Sequence, residues 1–533
     1  MKRLWLTLVL LALVTISLVR AQPSTDPEIR LLLLIAVDQF RYDYLTRFRS
    51  EYSGGLQRLL SQGAVFTNAN LEHYPTVTAV GHATMLTGAT PSESGIIGND
   101  WFDRTSGAVV TSVSDPAVAS VGSSTGSLAS PRRLLVSTVG DELKLASRAA
   151  PGAALRPRVF GVSLKDRSAI LPVGRGADAA YWWDTKTGRF VTSTYYMASA
   201  PAWVQTFNDR KAPDLYAGRT WAALDSPASA LRRLPETVGA PLYDAVYGSP
   251  FGNDELVAFA LGVLQREQLG QRHTTDLLSV SFSSNDSVGH TYGPDSPQVR
   301  DIAIRTDAAI GRLLTEIDRA VGLSHVLVSF TTDHGVAPLP ETLTERGLPG
   351  GRMTTKELFD PIQRALSAAY GEGKWLMATA GSSPYLNYDL ISSLKLDPAE
   401  VRRTAAAAAM AVPHVARVYT RDQLQRGDVP GDRIGSRVLR GFNAQRSGDL
   451  EIILEPYWMR QAQGTTHGTP YNYDAHIPLI LMGPRIQAGE YSDPAALNDL
   501  APTLATLVGV EIPAASVGRV LTEAIRPRAV RAQ

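Results

Sequence analysis

A chain of 533 residues with 44% hydrophobic side chains can bury an extensive core and is too long for one minimal domain. Its formal charge of +1 and the lack of any basic stripe argue against nucleic acid as a partner. The absence of cysteine excludes disulfides, thiolate metal ligands and a cysteine nucleophile.

The first residues read as a secretory signal peptide over 1–21: a positive Met1-Lys2-Arg3, an apolar stretch from Leu4 to Leu18, and a small-residue cleavage site at Val19-Arg20-Ala21. The apolar stretch is short for a membrane span of about twenty residues. Loss of Lys2, Arg3 and Arg20 takes the 52 basic side chains to 49 against 51 acidic. A cysteine-free exported chain fits the bacterial periplasm or secretion beyond it, without a stable membrane anchor after cleavage.

Residues 22–533 are expected to form one catalytic domain of α/β class, doubly wound on a mostly parallel sheet. Leu31 to Val37 is a continuous apolar run, as in a buried parallel strand, and ends at Asp38. The segment from Glu72 to Gly88 reads as a loop entering a short helix that Gly88 closes, with Thr76 and Thr78 near its start. A hydroxyl there has backbone donors and a positive dipole end beside it, although threonine is also a common helix cap, and the pattern does not separate Thr76 from Thr78.

Further along, Val159 to Ala169 includes Lys165 and Arg167. If this stretch is extended, the two cations share one side and Asp166 takes the other. Asn253 to Leu269 reads as an amphipathic helix. Leu277 to Phe282 reads as a strand before Asp286 and His290, which are four apart. Gln298 to Val321 carries a helical apolar stripe, and Val326 to Phe330 leads into Asp333-His334. Strand, polar residues, helix, strand is the doubly wound rhythm, and such sheets carry their chemistry at the carboxyl ends of the strands. Two intervals break it and are expected as insertions: 174–251, with a hairpin through Tyr181, Trp182 and Trp183, and 343–449, with a helix from Val401 to Met410.

Asp38, Asp286, His290, Asp333, His334 and His467 form a set of oxygen and nitrogen donors suited to a pair of divalent ions. Any one of them alone is more simply a cap, a turn residue or a core histidine. Mixed carboxylate and imidazole donors suit zinc better than calcium or magnesium. His73, His82 and His476 read as packing or supporting groups.

These motifs resemble the alkaline phosphatase superfamily, and within it the PafA-like alkaline phosphatases with a threonine nucleophile, related to type I phosphodiesterases and nucleotide pyrophosphatases. The resemblance runs from Leu31 to Gly509; Ser94-Gly95-Ile96 departs from the His-Gly-Ile of several relatives. It implies Thr78 as nucleophile, Asn99 as phosphate contact, and Lys165 and Arg167 as a pair facing a phosphate dianion. It further implies Asp286, His290 and His467 for one metal ion and Asp38, Asp333 and His334, with Thr78, for the other. The implied reaction is hydrolysis of small-molecule phosphate monoesters through phosphothreonine by a monomeric enzyme with two divalent ions, zinc being the expected one. A phosphodiesterase would use the same metals and threonine without the cationic pair. A sulfatase would need a modifiable Cys or Ser, and a non-catalytic periplasmic metal- or phosphate-binding protein would lack turnover.

Overall fold

The computed structural model describes residues 28–147, 156–381 and 383–527; the expected signal peptide lies outside them. Among the described residues no helix is long and apolar enough to cross a membrane.

The apolar run after Arg30 forms strand β1, Leu31–Val37, with all seven residues buried. Leu31, Leu33, Ile35 and Val37 join one apolar cluster, while Leu32, Leu34 and Ala36 join another. A strand that buries both faces needs cover on both sides, hence its continuous apolar sequence. Nine further strands complete the sheet: β2 Ala64–Phe66, β3 Ser120–Val121, β4 Val159–Ser163, β5 Ala179–Asp184, β6 Arg189–Ser193, β7 Asp276–Phe282, β8 Val326–Thr331, β9 Leu479–Met482 and β10 Gly489–Tyr491. Their spatial order is β10-β2-β9-β8-β1-β7-β4-β5-β6-β3. The central strands β8, β1, β7, β4 and β5 are parallel, and antiparallel β9 and β6 flank them.

Seven helices matter for the site and its surroundings: α1 Thr78–Thr87, α2 Asp166–Ile170, α3 Pro250–Arg266, α4 Ser284–Tyr292, α5 Pro297–Val321, α6 Thr355–Tyr370 and α7 Pro398–Met410. The stripe expected over Gln298 to Val321 is α5. Ser296 caps it by accepting from Val299 N, and Ile302, Ile310, Leu313, Leu314 and Ile317 enter the first cluster. Burying each of those side chains stabilises the fold by about 1.5–3 kcal/mol. On the other face α1 contributes Ala79, Ala83, Met85 and Leu86 to the second cluster.

The two expected insertions differ from each other. The hairpin of the first pairs Trp182 with Val191 and Trp183 with Phe190, and its strands β5 and β6 extend the main sheet. Its aromatics are buried in both faces: Tyr181 and Trp183 in the first cluster, Trp182 in the second. Alternation across a strand buried on two sides produces that aromatic run. The second interval has its own small apolar core, in which α6 and α7 pack with the strand pair Val415–Thr420 and Leu450–Leu454.

Candidate active site

Strand register brings the polar residues together. Val37 is level with Phe282, Ala36 with Thr331, and Ser281 with Ser163, so four adjacent parallel strands end side by side. Asp38 follows β1, Asp286 lies in the first turn of α4 after β7, Asp333-His334 follow β8, and Lys165 follows β4. Carboxyl ends of neighbouring parallel strands are where such sheets assemble their chemistry.

The three imidazoles share one arrangement. His290 Nδ1 lies 2.7 Å from Thr465 O, His334 Nδ1 2.9 Å from Gly335 O, and His467 Nδ1 2.8 Å from Thr76 O. A carbonyl only accepts, so each Nδ1 carries a proton; in a neutral ring that leaves the Nε2 lone pair free, and at His290 the Asp286 carboxylate outweighs burial and raises the pKa. Those Nε2 atoms face carboxylates: His290 lies 3.1 Å and His467 3.7 Å from Asp286 Oδ1, and His334 lies 3.5 Å from Asp38 Oδ1 and 3.3 Å from Asp333 Oδ2. Fixing the far nitrogen on a carbonyl is how metal-binding histidines are oriented.

Donor atoms of Asp38, Asp333 and His334 lie within 4.8 Å of one another, as do those of Asp286, His334 and His467. The ring of His334 stacks on that of His467 at 3.4 Å, and His290 is 5.0 Å from His467. His334 therefore sits between the two sets, and His290 joins through Asp286. Asp38 Oδ1 and Asp333 Oδ2 are buried without a hydrogen-bond partner. Buried carboxylate oxygens left unpaired are costly, and beside three oriented imidazoles they fit a divalent cation by both charge and donor type.

Burial dominates the electrostatics. It lifts the Asp38 carboxyl well above the usual carboxylate range, with Asp286 and Asp333 adding to the effect. Burial pushes Asp286 upward too, but His290 and Lys165 outweigh it and hold that carboxyl well below its ordinary value. His334 and His82 do the same for Asp333. Burial lowers the pKa of His334 and of His467, which favours the neutral imidazole that metal ligation requires.

Thr78 opens α1, and Gly88 closes it with φ 64°. Its Oγ1 lies 3.4 Å from His334 Nε2, and Ala79 N donates to Asn99 Oδ1 at 2.9 Å. Gly81 lets this helix approach closely: a Cβ there would stand 2.4 Å from Asp333 O. His82 is fully buried beneath, with Nδ1 2.9 Å from Thr78 O and Nε2 2.7 Å from Ser281 Oγ. Thr76 points elsewhere, its hydroxyl donating to Thr469 O at 2.8 Å.

Lys165 reaches the cluster: Nζ lies 2.6 Å from both Asp38 Oδ2 and Asp286 Oδ2. Burial lowers its pKa, but those two carboxylates outweigh it, and the ammonium stays charged. The expected extended run through Arg167 does not occur. Strand β4 ends at Ser163, Lys165 is the extended residue before α2, and Arg167 belongs to the helix. Ala169 N bonds Lys165 O, and a helical turn replaces the two-residue alternation. Arg167 keeps a side chain 26% exposed, 4.0 Å from Asp166, with Nε buried and without a hydrogen-bond partner.

Gln39 was not singled out from the sequence. Its side-chain amide donates to Asp286 Oδ1 at 2.6 Å while its backbone N–H donates to Asp333 Oδ1 at 3.1 Å, tying one set of donors to the other. It adopts φ 63°, and a Cβ on Gly289 would stand 1.8 Å from Gln39 Oε1. The only sequence signals were adjacency to Asp38 and a glycine between Asp286 and His290. His476 stacks on Tyr42 and has Nε2 3.0 Å from Thr67 O, a supporting position as expected. His73 is buried with both ring nitrogens unpaired, and burial drives its pKa down to about 3.

Residues 32–473 match the family described as type I phosphodiesterase / nucleotide pyrophosphatase. The chain is 34% identical to "Alkaline phosphatase PafA" of Elizabethkingia meningoseptica, across 94% of this chain and 95% of that one. The chain belongs to the type I phosphodiesterase / nucleotide pyrophosphatase family, in its PafA-like branch. It is 33% identical to "Alkaline phosphatase PhoV" of Synechococcus elongatus, across 95% of this chain and 96% of that relative. The crystal structure of PafA superposes with a TM-score of 0.86, covering 94% of this chain and 99% of that one. A solved PafA variant carries substitutions of a threonine, an asparagine, a lysine and an arginine. Murine ectonucleotide pyrophosphatase / phosphodiesterase 5, 15% identical with a TM-score of 0.52, shares the fold.

Proposed function

We propose that this enzyme hydrolyses phosphate monoesters to alcohol and inorganic phosphate through a phosphothreonine at Thr78, with two divalent cations, zinc by the chemistry of the donors. Phosphatase activity rests on alkaline phosphatase relatives 34%, 33%, 31% and 27% identical over most of the chain. The observation that carries the finer reading is the convergence of three carbonyl-anchored imidazoles and two orphaned carboxylate oxygens beside a threonine at a helix start.

Asp38, Asp333 and His334 would hold one cation and Asp286, His290 and His467 the other. When bound, such ions supply positive charge to the phosphoryl oxygens and acidify the attacking hydroxyl. Thr78 Oγ1 forms the new bond to phosphorus as the ester oxygen departs with its electron pair and takes up a proton. Water then attacks the phosphothreonine, releasing phosphate and restoring the hydroxyl. Asn99 Oδ1 is occupied by Ala79 N, which leaves the Asn99 Nδ2 hydrogens for a phosphoryl oxygen. Lys165 keeps a positive charge among the carboxylates, and with Arg167 nearby a dianionic monoester gains more from it than a diester carrying one charge. Residues 1–21 support export to the periplasm or beyond.

The family description favours one second reading, a phosphodiesterase built on the same donors. Comparing kcat/KM for an aryl phosphate and its methyl diester, before and after chelation and with zinc added back, separates the two. The monoester is expected to be the better substrate, with turnover lost on chelation and restored by zinc. A faster diester, or full activity without metal, would overturn the proposal.

A further inference from the structure

A cavity of about 250 Å3 has Asn99 and His467 in its wall together with Asp100, Tyr385, Glu451 and Arg460. It thus opens on Asn99, proposed above to contact the phosphoryl group, and on His467, proposed above to hold a cation, so the alcohol portion of an ester bound there has room to extend into it. Glu451 lies on the strand Leu450–Leu454, opposite Tyr419 on the strand Val415–Thr420. It is buried, 8% exposed, and Ser383 Oγ donates to its Oε2 at 2.5 Å. Among the described residues no cationic side chain acts on it: burial lifts the carboxyl to about 7, opposed only by the Ser383 hydrogen bond.

The charges lining the cavity are unbalanced. Two carboxyl groups, Glu451 and the exposed Asp100, face one guanidinium, Arg460, which is itself engaged by Gly381 O. A buried carboxylate without a cation of its own is costly in a folded protein, and a ligand that brings the missing positive charge recovers that cost. The bland alternative is an uncharged acid held by Ser383 for packing; it predicts no discrimination between charged and uncharged ligands.

We propose that this cavity receives the alcohol portion of the substrate and that Glu451 binds an ammonium group on it, which selects aminoalkyl phosphates. The inference rests on the monoesterase reading above, with Glu451 a specificity residue remote from the bonds that change.

The test compares 2-aminoethyl phosphate with propyl phosphate, matched in length and differing in the terminal ammonium. In the wild-type enzyme loaded with zinc, kcat/KM is expected to favour the aminoethyl ester by roughly tenfold or more, the scale of a hydrogen bond to a charged group. Glu451→Gln, of nearly equal volume, is expected to bring the ratio close to one. A ratio that is the same in both proteins overturns the proposal while leaving the monoesterase reading intact. Failure of the wild type to hydrolyse either ester overturns that reading instead. Inhibition of the wild type keeps the question decidable if the variant does not fold. There 3-aminopropylphosphonate should inhibit at least about tenfold more tightly than butylphosphonate, and equal inhibition counts against Glu451.

Discussion

Replacing Gln39 with alanine removes one strong contact and leaves another in place. The amide that donates to Asp286 Oδ1 at 2.6 Å is lost, whereas the backbone N–H on Asp333 Oδ1 at 3.1 Å does not depend on the side chain. A hydrogen bond to a charged group is worth about 1.5–3 kcal/mol, which corresponds to roughly 10- to 150-fold in an equilibrium constant and agrees with the roughly 10- to 100-fold cost of losing a group that orients a metal ligand. One of two bound zinc ions is therefore expected to weaken by that factor, and the ion held through Asp333 to stay within a few-fold of wild type. Chelator competition read by metal content per chain resolves two classes of site and measures this without reference to turnover. Gln39→Gly separates backbone strain from the lost amide: glycine accepts φ 63° freely, so it should lose the same zinc affinity yet be more stable than the alanine variant by about 1 kcal/mol. Equal weakening of both ions, or of neither, would refute the reasoning that the side chain serves Asp286 alone.

Gly289→Ala should mimic the loss at the Asp286 site, because the new methyl collides with Gln39 Oε1; zinc affinity at wild-type level would show that the amide is not needed there. Alanine at both Lys165 and Arg167 should depress monoester kcat/KM by roughly a hundredfold more than diester kcat/KM, and equal losses would remove the basis for choosing a monoesterase. Glu451 gives a pH test of stability with a definite sign. Its carboxyl is raised from 4.5 to about 7 on folding, so its contribution is full at acid pH and declines as pH rises across that window. Urea unfolding should show Glu451→Gln losing less stability than wild type between pH 5 and pH 8, and parallel losses would contradict the burial argument.

The central strands were legible because each is buried on two faces, and burial on two faces writes itself as unbroken apolar sequence. Leu31 to Val37, Leu277 to Phe282 and Val326 to Phe330 all became strands, and the polar residues just after them fell together at the carboxyl ends of those strands. The fold was less legible where the same physics allowed two meanings. The run Tyr181-Trp182-Trp183 read as a hairpin set on the core, but its neighbours along the sheet are β4 and β6, and no local pattern tells an outer sheet strand from an added hairpin. Alternation through Lys165 and Arg167 failed because the strand stops two residues before the lysine, and helix takes over within one turn. Gln39 escaped notice for a different reason: its partners Asp286 and Asp333 are 247 and 294 residues away, and the left-handed turn that aims it leaves no mark on the residue type.

Thr78 Oγ1 is the proposed acceptor of the phosphoryl group. Acid quenching of the zinc-loaded enzyme during turnover of a phosphate monoester, followed by peptide mass mapping, tests that directly. Phosphate on Thr78, absent from Thr78→Ala along with turnover, is the expected result. Phosphate on Thr76 or elsewhere, or steady hydrolysis by Thr78→Ala at the wild-type rate, would contradict it.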